Sequence, residues 1–353
     1  MDVLKKYAGR RVLITGHTGF KGSWLCETLL LAGARVHGFA LKPPTRPALF
    51  DQLGLARRLD SHAIGDVRDL SALKRCVRRV KPEFVFHLAA QPLVRLSYRE
   101  PRETFETNVM GTVNMLEALR GSSDPCRVVC ITTDKVYEND NRGRAFKEDD
   151  PKGGSDPYSA SKGACEIAIQ GYRRSFFSDP KGAVRVAAAR AGNVIGGGDW
   201  ALDRIVPDAM RAFLAGRALT VRNDRSTRPW QHVLEPLFGY LRLGAEDDFE
   251  TFSTGYNFGP RATTVKSVGE LVREMTRYFE APKVENRTDP DAPAEAKLLT
   301  LDSSKARRRL AWTPRWNFKT TVEKTVEWYQ AVAAGADPQT LTDRQVEEYD
   351  AER

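Results

Sequence analysis

Short apolar runs alternate along the first half of the chain with stretches whose apolar positions recur every three or four residues. The runs 10–15, 35–41, 83–90, 127–132 and 184–190, with a shorter one ending at Gly65, read as strands. The stretches 24–31 (closed by Gly33) and 104–120, and the segment carrying Tyr158 and Lys162, read as helices. Strands alternating with helices predict an α/β fold on a doubly wound parallel sheet, with ligands at the carboxyl ends of its strands.

Past residue 190 the pattern loosens. Residues 191–200, AGNVIGGGDW, are glycine-rich and too irregular for a helix or a strand. Residues 223–233, NDRSTRPWQHV, are polar and aromatic and follow a short strand. An amphipathic helix is expected over 264–279, with Val268, Leu271, Val272 and Met275 on one face. Another follows over 321–334, and then a charged, frayed terminus. The chain is thus expected to divide into a dinucleotide-binding part, 1–190, and a smaller mixed α/β substrate part, 191–340. One segment of the second is expected to return to the sheet of the first.

The glycines supply the first candidate site. Gly16-His17-Thr18-Gly19-Phe20-Lys21-Gly22 lies between the first strand and the first helix, spaced GxxGxxG. Such glycines permit a tight turn and bring backbone N–H groups up to a pyrophosphate at the helix N-terminus. A plain strand-to-helix turn has the same look, but the position within the first thirty residues favours a Rossmann-type nucleotide site. An NAD site wants an acid at the end of the second strand, about 20 residues on. Lys42 stands there, followed by Pro43, Pro44, Thr45 and Arg46. Either Lys42 or Arg46 receives the 2′-phosphate of NADP, or the loop holds NAD without an acidic partner. After the third strand, Asp66 suits the adenine amino group, and equally a helix N-cap.

Composition narrows the class. The 353 residues, 41% hydrophobic and 29% charged, suit one large or two medium globular domains. No apolar run approaches the ~20 residues of a membrane span, and the start shows no signal-peptide core, so a cytoplasmic protein is expected. Five cysteines, none spaced CxxC, suit reduced buried thiols and neither disulfides nor a metal site. The net charge of +9 is scattered apart from short clusters such as 305–309, which fits a small anionic ligand better than nucleic acid.

Two further segments carry chemistry. Thr133-Asp134-Lys135 closes the apolar run before it, and Tyr158 and Lys162 are four apart, on one helix face. A phenol titrates near ~10, and a neighbouring ammonium lowers that toward the range a general base needs. A lone YxxxK also arises by chance on solvated helix faces, so the pair gains meaning from the nucleotide site upstream. Asn108, among Thr107, Val109 and Met110, needs a hydrogen-bond partner if buried. In 191–233, arginines can grip a diphosphate while Trp and Asn contact base and sugar. Trp200 and Trp230 are equally readable as packing aromatics.

Gly16-x-x-Gly19-x-x-Gly22, Asp66-Val67, His87-Leu88-Ala89-Ala90, Asn108, Thr133-Asp134-Lys135 and Tyr158-x-x-x-Lys162 together resemble the extended short-chain dehydrogenase/reductase family. The likeness runs in order to about Gln330. The segments around Lys135, Tyr158, 190–200 and 228–233 resemble the CDP-glucose branch of that family's sugar-nucleotide 4,6-dehydratases. Many of its other dehydratases have Glu where Lys135 stands. The resemblance implies NAD (NADP is not excluded) held by Gly16, His17, Gly19, Phe20, Lys21, Gly22, Asp66, Val67, Leu88, Ala89, Ala90, Thr107, Tyr158 and Lys162. It implies CDP-glucose or a related sugar nucleotide on Gln91, Asn193, Trp200, Arg204, Arg228 and His232. The implied reaction is redox-neutral. Tyr158, helped by Thr133 and Lys162, takes the carbon-4 hydroxyl proton as hydride leaves; Lys135 takes the carbon-5 proton; Asp134 protonates the departing carbon-6 hydroxyl. Lys135 can serve as base only if its pKa falls well below ~10.4; otherwise it positions the sugar. A 4-epimerase is the nearest alternative, and a non-catalytic nucleotide sensor is another. A homodimer, or a tetramer, is implied through the Tyr-Lys helix and the helix before the fifth strand.

Overall fold

The computed structural model describes residues 3–139, 143–261, 264–287 and 299–352. Seven parallel strands form one sheet, in the spatial order Gly255–Phe258, Val184–Ala191, Cys126–Ile131, Phe84–His87, Arg11–Thr15, Arg35–Ala40, Ser61–Ile64. The central strands are buried on both faces, so they read as continuous apolar runs instead of alternations. Strand order reverses beside Arg11–Thr15, and that reversal opens a crevice at the carboxyl ends.

Each face of the sheet has its own apolar layer. On one, Leu73 and Val77 of helix Leu70–Val80, Met115 and Leu116 of Gly111–Leu119, and Ile169 of Pro157–Phe176 pack with Val85, Val128 and Val186. On the other, Trp24 and Leu29 of Phe20–Leu31, Leu237 and Leu241 of Leu234–Ala245, and Val326 and Trp328 of Phe318–Ala333 pack with Val12, Ile14 and Val129. This second layer also takes in Met210, Leu219 and Leu271 from beyond residue 191.

Four elements differ from the sequence reading. The helix expected over 104–120 is divided into Pro101–Phe105, a π-helical turn Glu106–Met110, and Gly111–Leu119. Asn108, at the centre of the wide turn, accepts from the Gln91 N–H (2.8 Å) and donates to the Gln91 carbonyl (3.2 Å) and Ser161 Oγ (2.9 Å). The π turn aims this buried amide at three partners it could not otherwise satisfy together. Within 191–200, Val194–Ile195 is a short strand paired in parallel with Gln231–His232. The helix expected over 264–279 is Val268–Thr276, opened by a capping box of Ser267 and Glu270 and preceded by strand Val265–Ser267.

The terminus, read as frayed, is a helix, Pro338–Ala351, capped by Asp337. Leu341, Val346 and Tyr349 are buried against the core, and the Tyr349 hydroxyl donates to Glu235 Oε2 at 2.5 Å. Glu235 also accepts the Arg315 and Trp316 N–H groups, so one buried carboxyl ties the helix to the body. Its apolar positions are sparse among charges, which hid its face in the sequence. All five cysteines are buried and unpaired. Among the described residues no helix is long and apolar enough to cross a membrane.

Candidate active site

Strand Cys126–Ile131 ends on Thr133, whose side chain opens a single helical turn, Asp134–Val136. The Thr133 hydroxyl donates to Asp134 Oδ1 at 2.9 Å. Helix Pro157–Phe176 starts beside it, with Pro157 in the first turn and Asp156 accepting the Ser159 N–H as N-cap (2.9 Å). Its Tyr158 N–H donates to Ser97 Oγ (3.1 Å), which fixes the first turn against Val94–Arg99. The Thr133 side chain acts on the Tyr158 phenol, and the Lys135 ammonium lies 6.0 Å from the phenol ring centre. Two segments distant in sequence thus meet at one point of the crevice.

Electrostatics there are governed by burial. Asp134 is held above the usual carboxylate range because it is buried, opposed by Lys135, the Thr133 bond and Arg228. Burial pushes the Tyr158 phenol above its ordinary value; the Thr133 bond and Arg204 oppose this, while Asp134 adds to it. Burial lowers Lys162, against Cys165 and Glu166. Lys21 falls to about 8 through burial and the positive charges of Arg204 and Lys162, with Asp134 opposing. Arg204, one of the cations near the phenol, is paired with Asp199 at 2.9 Å.

The glycine turn is tight. Gly16 has φ +75°, and a Cβ there would stand 2.7 Å from the Ala89 nitrogen; one on Gly22 would stand 2.2 Å from the Gly16 carbonyl. Leu88–Ala90 therefore lie directly against the turn, with the Ala89 N–H donating to Thr15 Oγ1 at 3.3 Å. Helix Phe20–Leu31 has no side-chain cap, so its first-turn N–H groups suit an anion. This cradle, beside half-buried Lys21 and buried Lys162, fits a dinucleotide. Lys21 reaches the Tyr240 hydroxyl at 3.4 Å. His17 is buried, hydrogen-bonded to His62 at 2.7 Å, and covers Gly38.

Other expected ligands are placed unevenly. Asp66 binds Arg68 Nε (2.9 Å), and Asp69, not Asp66, caps the next helix. Val67 packs on Gly111, and Thr107 lies in the π turn. The Gln91 amide is spent locally: it donates to Thr104 Oγ1 and the Leu93 carbonyl and accepts the Leu93 N–H. These bonds fix the turn after His87. His232 is fully buried, edge-on to Trp24 and Trp316, which places it in the core. Trp200 donates to Gln52 Oε1 (2.8 Å) and packs on Tyr329, and Trp230 is buried. Asn193 is exposed, Arg228 donates to the Thr227 carbonyl (2.8 Å), and Lys42 is exposed beyond the second strand. The reading missed Glu166, Arg190, Gly192, His62 and Tyr240. Glu166 alone carried a signal, one turn beyond Lys162 on the same face.

Residues 13–325 match the sequence model of the GDP-mannose 4,6 dehydratase family. The chain belongs to that family. These sugar-nucleotide 4,6-dehydratases are lyases within the extended short-chain dehydrogenase/reductases. A CDP-glucose 4,6-dehydratase of Salmonella typhimurium is 45% identical over 350 residues, 97% of each chain. The dTDP-glucose 4,6-dehydratase 1 of Escherichia coli is 26% identical, covering 90% of this chain and 92% of its own. DesIV, a dTDP-glucose 4,6-dehydratase from Streptomyces venezuelae solved with NAD and TYD bound, superposes with TM-score 0.76 at 24% identity, over 93% of this chain and 99% of that one.

Proposed function

We propose that this family member converts CDP-glucose to CDP-4-keto-6-deoxyglucose and water. The observation that carries the reading is the meeting of Thr133, Asp134 and Lys135 with Tyr158, which puts an acid and an amine beside the phenol. The 45% identity to the Salmonella enzyme supports CDP over other nucleotides. A 4-epimerase needs a base at carbon 4 and no acid and amine beside it.

The Gly16–Gly22 turn, Leu88–Ala90 and Lys162 would hold the dinucleotide, read as NAD because the relatives solved with cofactor hold NAD. That cofactor, when bound, supplies the hydride acceptor and donor. Tyr158 takes the carbon-4 hydroxyl proton, with Thr133 bonded to the same oxygen. Lys135 removes the carbon-5 proton once carbon 4 is a ketone. Asp134, whose burial favours the protonated form, gives a proton to the leaving carbon-6 hydroxyl. Arg204 counters the buildup of charge on the phenol, and Arg204 and Arg228 face the sugar nucleotide. In this reading residues 1–190 and strand Gly255–Phe258 carry the cofactor, and 191–340 the sugar nucleotide.

The assembly is read as a cytoplasmic homodimer. Ile167 and Phe176 of the Tyr-Lys helix are 63% and 53% exposed beside half-exposed Phe105 and Met110, apolar surface that a second copy would cover. The test releases and identifies the bound cofactor, then assays CDP-, dTDP-, GDP- and UDP-glucose for loss of water. Water loss from CDP-glucose at the highest kcat/KM is the expected result; interconversion of carbon-4 epimers without water loss would overturn the reading.

A further inference from the structure

Behind the crevice lies an ion pair that the chemistry above does not use. Glu166 and Arg190 are both nearly solvent-free, with Oε2 and Nη2 2.7 Å apart and Arg190 Nε 2.8 Å from Oε1. Glu166 follows Lys162 by one turn on the helix that begins with Tyr158. Arg190 comes from the neighbouring strand, Val184–Ala191.

Each partner also holds one flank of the reactive triplet. Glu166 Oε1 accepts the Thr132 hydroxyl at 2.5 Å, immediately before Thr133. Arg190 Nη1 donates to the Tyr137 hydroxyl at 2.7 Å, two residues past Lys135, and to the Glu148 carbonyl at 3.1 Å. The Tyr137 hydroxyl in turn donates to Asn257 Oδ1 (2.6 Å), on the strand next to Arg190. Residues 133–136 are therefore suspended between two anchors that share one ion pair, whose Glu166 lies on the Tyr158–Lys162 helix and whose Arg190 lies on the neighbouring strand.

We infer that Glu166 and Arg190 are positioning residues that hold the acid and amine of 133–135 in register with Tyr158, so that carbon-4 oxidation and carbon-6 elimination follow one another on the same bound sugar. Burial alone pushes the Glu166 carboxyl up, but the Arg190 charge and its hydrogen bonds bring it below the usual range, so the pair stays ionised. A buried pair costs desolvation, and a pair of apolar residues often replaces it without loss of stability. Stability gives little reason for the pair; geometry gives one. A misplacement of about 1 Å in a reacting constellation costs on the order of 10²-fold in rate.

The inference rests on the dehydratase reading, and its test separates the two. Tyr137→Phe and Thr132→Val each remove one anchor and leave the ion pair in place. Glu166→Leu/Arg190→Met replaces the pair with apolar volume, and covers the case in which a single change at either partner does not fold. In each folded variant three quantities are followed with CDP-glucose: KM, reduced cofactor accumulating per turnover, and solvent deuterium incorporated at carbon 5. Amide exchange over 132–137 is followed without substrate. Expected are a KM within about threefold of wild type, a kcat about 10²-fold lower in the double variant, and reduced cofactor accumulating while carbon-5 exchange falls. Faster amide exchange over 132–137 is expected as well. Folded variants in which both steps fall equally, or neither falls, overturn the inference. A wild-type protein that does not dehydrate CDP-glucose overturns the reading beneath it instead.

Discussion

Gly192 is the position where one methyl group tests the placement of Asp134. It has no positive φ, so alanine adds no backbone strain there and removes some freedom from the unfolded chain, worth about 0.4–1 kcal/mol in favour of folding. The added Cβ would stand 2.9 Å from Asp134 Oδ2 and 3.3 Å from the Pro229 ring. Ordinary contact begins near 3.4 Å, so the carboxyl must retreat by about 0.5 Å. A carboxyl at the end of a side chain can do this at small cost in stability, but it then slackens the 2.9 Å bond from Thr133. If a displacement of ~1 Å costs on the order of 10²-fold, half of that predicts about a tenfold loss in the step Asp134 serves. Gly192→Ala should therefore melt within about 1 kcal/mol of wild type, oxidise carbon 4 at near the normal rate, and release water about tenfold more slowly. Single-turnover runs that follow cofactor reduction and water loss separately give both rates. Wild-type water loss in the folded variant refutes the placement of Asp134 as the acid.

Lys135→Met should retain carbon-4 oxidation, seen as reduced cofactor accumulating, and lose deuterium exchange at carbon 5; normal exchange removes Lys135 from the proton transfer. Because burial raises Asp134, its contribution to stability is present below its unfolded pKa and lost as pH rises through the folded one. Asp134→Asn should then be inactive yet more stable than wild type in urea at pH 7, with the gap closing toward pH 4; an equal gap at both pH values contradicts this. Glu235 is raised to about 7 by burial, so wild type should lose up to roughly 3 kcal/mol between pH 5 and 8 from this group, and denaturant midpoints of Glu235→Gln should show a flatter slope. Tyr349→Phe removes the 2.5 Å bond to Glu235 and should cost about 1–3 kcal/mol without changing kcat; a midpoint equal to wild type would show that the terminal helix does not depend on it.

How far the residues announced this arrangement depends on the range of the interaction. Local rules located six of the sheet's seven strands, the fourth read three residues too long at its end, together with the glycine turn and the Tyr158–Lys162 face, because each rests on a period or on backbone freedom within a few positions. The π turn escaped them, since Asn108 widens the helix only to meet Gln91 and Ser161, which lie 17 and 53 residues away. The partners of Gln91 and His232 escaped them for the same reason. A polar side chain in a plausible segment looks like a ligand until its partners are known, and theirs are Thr104 and Leu93 in one case and two indoles in the other. The terminal helix was missed because Leu341, Val346 and Tyr349 are few, and its strongest tie is to Glu235, more than a hundred residues earlier.

Burial acts on the crevice with one sign for acids and the other for bases, and this sorts the roles. Asp134 and Tyr158 are pushed up and Lys21 and Lys162 down, so desolvation drives all four toward their neutral forms. For Asp134 that is the state an acid needs before it protonates a leaving hydroxyl. For Tyr158 it is the wrong direction, because a base must give up its own proton first. The phenol therefore depends on its neighbours, and the structure offers the Thr133 side chain and Arg204. Arg204 sits on the loop after Asp199, in the part of the chain that the sugar nucleotide is proposed to occupy. If the sugar nucleotide displaces this loop, the charge facing the phenol changes with it.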